Sequence, residues 1–132
     1  MPANPLPNST QQLVKPASLI AGATLVQGDV VKFQADGKVD PTAATTDQAL
    51  GVALSDALDT EAVDVQTTPG AIVECVAGAA ISVGDLVMPS GATAGQVLTR
   101  TATNSVVGTA LTAAALIGES VQVLFNPRFL DV

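Results

Sequence analysis

One pattern constrains this chain more than any other: it states the same segment twice. Ala21-Gly22-Ala23-Thr24-Leu25-Val26-Gln27-Gly28-Asp29-Val30-Val31 returns as Ala77-Gly78-Ala79-Ala80-Ile81-Ser82-Val83-Gly84-Asp85-Leu86-Val87, 56 residues later. Gly37-Lys38-Val39 is echoed by Gly95-Gln96-Val97, and Leu50-Gly51-Val52-Ala53-Leu54 by Val107-Gly108-Thr109-Ala110-Leu111. Glu61-Ala62-Val63-Asp64-Val65 then matches Glu119-Ser120-Val121-Gln122-Val123, so the offset drifts only between 56 and 58. Two copies are too few for a solenoid, whose units are stabilised by many neighbours. The halves are therefore expected to close on each other as one all-β barrel or sandwich built from two repeated units.

The pattern within each unit is that of strands. Val and Thr are abundant, Gly and Pro recur every several residues, and short alternations such as Val63-Asp64-Val65 and Val121-Gln122-Val123 appear. Asp36-Gly37 predicts a hairpin with a type I′ turn, and Ser90-Gly91 a similar turn in the second unit. Residues 47–61 carry Leu50, Leu54 and Leu58 at helical spacing behind Asp47. The matching segment, Asn104-Ser105-Val106-Val107-Gly108-Thr109-Ala110, is β-branched and broken by glycine, so both are read as strands. This divides the chain into an arm over 1–18 and a β domain over 19–132. The domain holds repeat one (21–67), repeat two (77–123) and a tail (124–132).

At 132 residues the chain is one domain, with 48% hydrophobic residues but three Phe, no Trp and no Tyr. The core must come from Val, Leu, Ile and Ala, each burying less area than an aromatic ring, which makes assembly a source of further stability. Five cations, Lys15, Lys32, Lys38, Arg100 and Arg128, against 12 acids leave a net charge of −7. So few scattered bases supply neither a nucleic-acid face nor an anionic-membrane surface. The lone Cys75 sits in the apolar run Ile72-Val73-Glu74-Cys75-Val76 and reads as a small buried hydrophobe. The N-terminus lacks the basic start and apolar block of a secretory signal, and 71–88 is interrupted by Glu74 and Asp85. A soluble, unexported chain is expected, in which the Asn8-Ser9-Thr10 sequon is a chance match.

Gly28-Asp29 and Gly84-Asp85 each end an apolar segment and enter a strand. Glycine permits a positive φ, and an aspartate carboxylate accepts N–H groups from the turn it closes, so these four residues are assigned to turns. An acid–base dyad of Asp29 and Asp85 is the sharper alternative, but a barrel's symmetry would set them on opposite sides. Asp56, Asp59, Glu61 and Asp64 form an acidic edge without the spacing of a calcium loop. With no histidine, no Gly-x-Ser-x-Gly, no phosphate loop and no Cys-x-x-Cys, the chain lacks catalytic and cofactor-binding vocabulary. No catalytic, cofactor or metal residue is assigned.

Charge separates the two units. Residues 28–67 carry eight acids and two lysines, a net of −6, whereas 84–127 carry Asp85, Glu119 and Arg100, a net of −1. The first repeat is expected to face solvent and the second to pack against other protein. Outside the repeats, Pro2, Pro5, Pro7 and Pro16 make the arm extended, either as a free tail or as a clamp with Leu6, Leu13 and Val14 as pegs. Pro127 is expected to end the last strand, leaving Phe129 and Leu130 to fold back or to anchor a neighbour.

The order of these motifs resembles the capsid decoration, or cement, proteins of tailed bacteriophages. Gly28-Asp29-Val30-Val31, Asp36-Gly37-Lys38-Val39, residues 50–57, Val63-Asp64-Val65-Gln66-Thr67, Gly84-Asp85-Leu86-Val87 and Val121-Gln122-Val123-Leu124 carry the resemblance, over about residues 19–127. It implies a small acidic β protein without enzymatic activity or cofactor, made in the host cytoplasm. Such a protein binds the major capsid protein on the virion's outer face, commonly as a trimer over capsomer junctions. Three other classes compete: a β-barrel ligand-binding or tail/fibre-associated module, a carboxylate enzyme using Asp29 or Asp85, and a subunit of a non-viral shell. The lack of Trp and Tyr argues against a sugar site.

Overall fold

The computed structural model describes residues 17–101 and 105–129, and the side chains of Ala17 and Phe129 are not described. These residues form strands and loops with no helix among them. The first sheet holds β1 (Ala17–Ile20), β2 (Val30–Phe33), β3 (Val39–Pro41), β4 (Gly51–Ala53) and β5 (Ala62–Gln66) in the order β1-β5-β4-β2-β3. The second holds β6 (Ile72–Val76), β7 (Leu86–Pro89), β8 (Val97–Thr99), β9 (Ser105–Ala110) and β10 (Ser120–Phe129) in the order β6-β10-β9-β7-β8. Strand for strand, the second order repeats the first. All the pairings are antiparallel. A parallel bridge joins the edges of each sheet, Ala21 to Val39 and Ala77 to Val97, and draws each sheet round on itself.

The period-two pattern accounts for the strands. In β5, Val63 and Val65 are buried while Ala62 and Asp64 face out, and in β10 Val121 and Val123 alternate with exposed Gln122 and Leu124. The cores follow the repeat. Repeat one buries Ala21, Leu25, Val31, Val39, Ala53, Ala57, Val63 and Val65 together. Their equivalents at offsets of 56–58 (Ala77, Ile81, Val87, Val97, Ala110, Ala114, Val121 and Val123) lie in the second cluster. Leu19 and Leu50, packed against the first cluster, correspond to Cys75 and Val107 in the second. Cys75 is 1% exposed, and burial pushes its thiol up to about 12.

The second cluster is larger because it is shared. It takes in Val30, Ala49 and Val52 from repeat one, together with Val73 and Phe125. Val30 and Val52 are cross-strand partners between β2 and β4. Their neighbours Val31 and Ala53 belong to the first cluster, so β4 and the Val30-Val31 end of β2 are buried on both faces. Phe125 is the largest fully buried side chain.

Three local expectations are corrected. Among the described residues the only non-glycine with positive φ is Thr60, so Asp36-Gly37 is not a type I′ turn. Gly37 alone is left-handed (φ 84), the Gly37 N–H donates to Gln34 O, and the Gln34 N–H donates to Lys38 O. This is a type I turn closed by a glycine bulge. In the second unit the left-handed residue is Gly95 (φ 82), not Gly91, and the Ser90 hydroxyl accepts the Ala92 and Thr93 N–H groups. Pro127 does not end the last strand. β10 runs on to Phe129, and its register against β9 shifts between Phe125 and Arg128, so a bulge takes the proline out of the ladder it cannot join.

Candidate functional site

The Gly-Asp boxes sit where a loop enters β2 or β7. Gly28 (φ 96) and Gly84 (φ 89) make the turns, and the following carboxylates reach back three residues. The Val26 N–H donates to Asp29 Oδ2 at 3.0 Å, and the Ser82 N–H donates to Asp85 Oδ2 at 3.0 Å, with Thr99 Oγ1 adding a bond at 3.1 Å. The surroundings of the two boxes differ. Gly28 is buried against β6, where Val76 and the Glu74 carbonyl would crowd any side chain added there, whereas Gly84 is exposed. Burial raises the Asp29 carboxyl above its ordinary value, against the hydrogen bond from Val26, and the nearby Asp56 charge pushes it further up.

Beyond each box, two loops pair at one pole of the unit. Leu25 and Ala57 bridge in repeat one, and Ile81 and Ala114 bridge in repeat two. The first pole is acidic. Asp56, Asp59 and Glu61 are exposed, Asp56 Oδ1 accepts the Gln27 N–H at 2.8 Å, and Glu61 Oε1 accepts the Leu58 N–H at 2.8 Å. These carboxylates interleave with exposed Val26 and Leu58. The second pole presents Val83, Leu111, Leu116 and Ile117, of which Val83, Leu116 and Ile117 are more than 60% exposed. Glu119 there is exposed like its counterpart Glu61, and its Oε1 accepts the Ala115 N–H at 2.6 Å and the Leu116 N–H at 3.0 Å. Around this one carboxylate the tip is otherwise apolar. Exposed aliphatic side chains grouped in this way mark contact surfaces.

The residues singled out from the sequence fall elsewhere. Leu6, Leu13, Val14 and Leu130 lie outside the described residues, and Phe129 is placed only as the last residue of β10. Asp47 starts no helix. Its carboxylate accepts the Ala43 and Ala44 N–H groups and pairs with Lys32 at 3.0 Å, closing a turn. The apolar tip was not singled out in the sequence, because its members are scattered among alanines and threonines. The low charge of the second repeat was the signal that pointed to it.

The comparisons agree with this architecture. The head fibre gp8.5 N base of bacteriophage phi29, known from a crystal structure, has a similar fold: TM-score 0.64, 22% identity, covering 88% of this chain and 97% of that one. Among curated proteins none matches. The phage cement protein family matches residues 20–125, nearly the whole described region. With its doubled sheet, acidic pole and apolar pole, the chain belongs to the phage cement protein family, a family of structural, capsid-associated virion proteins.

Proposed function

We propose that this protein binds the outer face of a phage capsid across junctions between major capsid protein subunits, and that it does so through the apolar pole of repeat two. The observation that carries the reading is the contrast between the poles. Val83, Leu111, Leu116 and Ile117 gain by leaving water, whereas Asp56 and Asp59, which have no acidic counterpart in repeat two, are stable only where solvent reaches them. The role is mechanical and non-enzymatic: each copy adds interface area that must be broken before the shell opens. Copies made in the host cytoplasm and arranged as trimers multiply a modest affinity per site. Leu6, Leu13, Val14, Phe129 and Leu130 are proposed as secondary anchors in the terminal segments.

Co-sedimentation with empty shells tests this. The double substitution Leu116→Asp and Ile117→Asp should lower shell affinity at least about tenfold, because a few central apolar residues carry most of an interface's energy. Its circular dichroism should be unchanged, since both residues are exposed. Undiminished occupancy would move the contact elsewhere. A second reading, the base of a fibre or tail-associated module, draws support from the phi29 head fibre likeness. Electron microscopy of saturated shells would separate the two by showing either discrete knobs or projecting rods.

A further inference from the structure

The two sheets differ at the end where β1 and β6 begin. In repeat two that end is closed: Met88, Pro89, Ser105 and Val106 are buried. β10 runs along it, passing Phe125 to pair Arg128 with Val106 and Phe129 with Ser105. In repeat one β5 stops at Gln66, and the chain turns off towards β6. The equivalent end lies open. Phe33, the counterpart of buried Pro89, is 53% exposed, Gln34 and Gln48 are exposed, and Leu50 is half-buried. They line a groove of about 430 Å³ with buried Ala49 at its base. An open Phe is out of place in a chain with only three, because a ring gains much by leaving water.

The repeat names a segment that fits this groove. In repeat two the ladder between β6 and β10 begins before β6 itself. The Phe125 N–H donates to Ala71 O at 2.8 Å, and the Gly70 N–H donates to Phe125 O at 2.7 Å. At offsets of 56 and 58, Ala71 corresponds to Lys15 and Phe125 to Thr67. The register of β1 agrees, because Ala17 opposite Val65 sets Lys15 opposite Thr67. We propose that residues 13–16 continue β1 along Gln66 and Thr67 and seat Leu13 on Phe33 and Leu50 of the same chain. Pro16 is compatible with this ladder. The Ala21 N–H donates to Glu61 O and the Thr60 N–H to Ala21 O, so the odd-numbered residues of β1 face β5. The N–H that Pro16 lacks would point to the open side. Alternation selects Leu13, which has the parity of Leu19, packed on the first core, as Phe33 has that of Val31. Phe33 lies three strands from β1 in a sheet closed by the Ala21–Val39 bridge, and four extended residues, about 13 Å, reach it. Charge agrees: residues 1–16 carry Lys15 and no acid, whereas repeat one has a net of −6.

This contact belongs to the free chain and stands apart from shell binding through Leu116 and Ile117. A shell that takes Leu13 as an anchor has to displace it from Phe33 first. The chain has no Trp, so Phe33→Trp in the full chain is a single fluorescent reporter of the groove. Adding Leu13→Asp should shift its emission to the red and raise acrylamide quenching at least about twofold, as the ring is uncovered. Leu6→Asp should leave both unchanged. Neither quantity should vary with protein concentration, because segment and groove belong to one chain. In the parent sequence the Thr67 amide should exchange slowly with solvent, and Leu13→Asp should speed that exchange about tenfold. This second measurement reads the contact even if the reporter perturbs the groove. Quenching indifferent to Leu13→Asp, an equal effect of Leu6→Asp, or a rapidly exchanging Thr67 amide in the parent would each overturn the proposal. So would quenching that falls as protein concentration rises, the mark of a neighbour's segment in the groove.

Discussion

Repeat one and repeat two share a strand order and eight core positions, yet they diverge at the ends of their sheets and at their poles. Where repeat one has Ala17 and Thr67, repeat two has Val73 and Phe125, which join the cluster that also takes Val30, Ala49 and Val52. Where repeat one carries Asp56 and Asp59, repeat two carries Ala113 and Ile117, whereas Glu61 and Glu119 are kept in both. The shared positions hold the backbone, and the divergent ones make a two-faced object from two copies of one unit. Duplication supplies the fold, and substitution at a few places supplies the polarity that a capsid-bound protein needs.

The largest test of that contrast is Phe125→Ala. In a core otherwise built from aliphatic side chains, removing the largest buried one leaves a cavity at the seam and should cost about 3–5 kcal/mol. The corresponding change in repeat one, Thr67→Ala, removes a partly exposed side chain and should stay within about 1 kcal/mol. Chemical denaturation of both variants decides the matter, and similar losses would mean that the seam is not where the two repeats differ energetically.

A smaller test uses the backbone. Thr60 has φ 74, and its counterpart Gly118 has φ 91, so one turn is met by a β-branched residue in one unit and by glycine in the other. Gly118→Thr should cost about 1–2 kcal/mol, the penalty of holding an L-residue in the left-handed region. Thr60→Gly relieves that strain, but the extra freedom of glycine in the unfolded chain takes back about 0.5–1 kcal/mol, so its net gain is smaller. If melting temperatures moved equally in both variants, the turns would not be equivalent.

How much of this was legible in the sequence follows from where its information sits. The doubled sheet was legible, because period-two burial and the Gly-Asp turns are written in adjacent residues. The drift of the offset from 56 to 58 also had a structural meaning. Two of those residues lengthen the 90–95 turn that lets Gly95 reach repeat one. The seam was harder to read, because Val30-Val31 and Val52-Ala53 look like ordinary strand residues. Apolar neighbours on both faces of a short strand were the available clue to double-sided burial. The type I′ assignment of Asp36-Gly37 failed because a three-residue loop with one left-handed glycine closes the same hairpin and leaves Asp36 unstrained. Pro127 misled for a similar reason: a bulge is a local adjustment that no single residue type announces.

The smallest effect is carried by pH, and it separates the buried edge of repeat one from its open loop. Burial raises the Asp29 carboxyl, assisted by Asp56, so its protonated form is favoured on folding. The stability it contributes is complete below the ordinary aspartate value of about 3.9 and is lost as pH rises through the raised native value. At Asp47 burial also acts upward, but the Ala43 and Ala44 N–H groups and the Lys32 ammonium outweigh it and hold the carboxyl low. Its contribution has the opposite sign: it is present above the ordinary value and lost as pH falls through the lowered one. Asp29→Asn keeps an oxygen for the Val26 N–H, so its urea midpoint should match or exceed the parent's at neutral pH, with the difference shrinking in acid. Asp47→Asn should fall below the parent at neutral pH and converge with it in acid. Urea midpoints measured across this range would show two curves approaching the parent from opposite sides. Two curves parallel to the parent would mean that neither carboxyl titrates differently on folding, and the electrostatic distinction between the buried edge and the open loop would disappear.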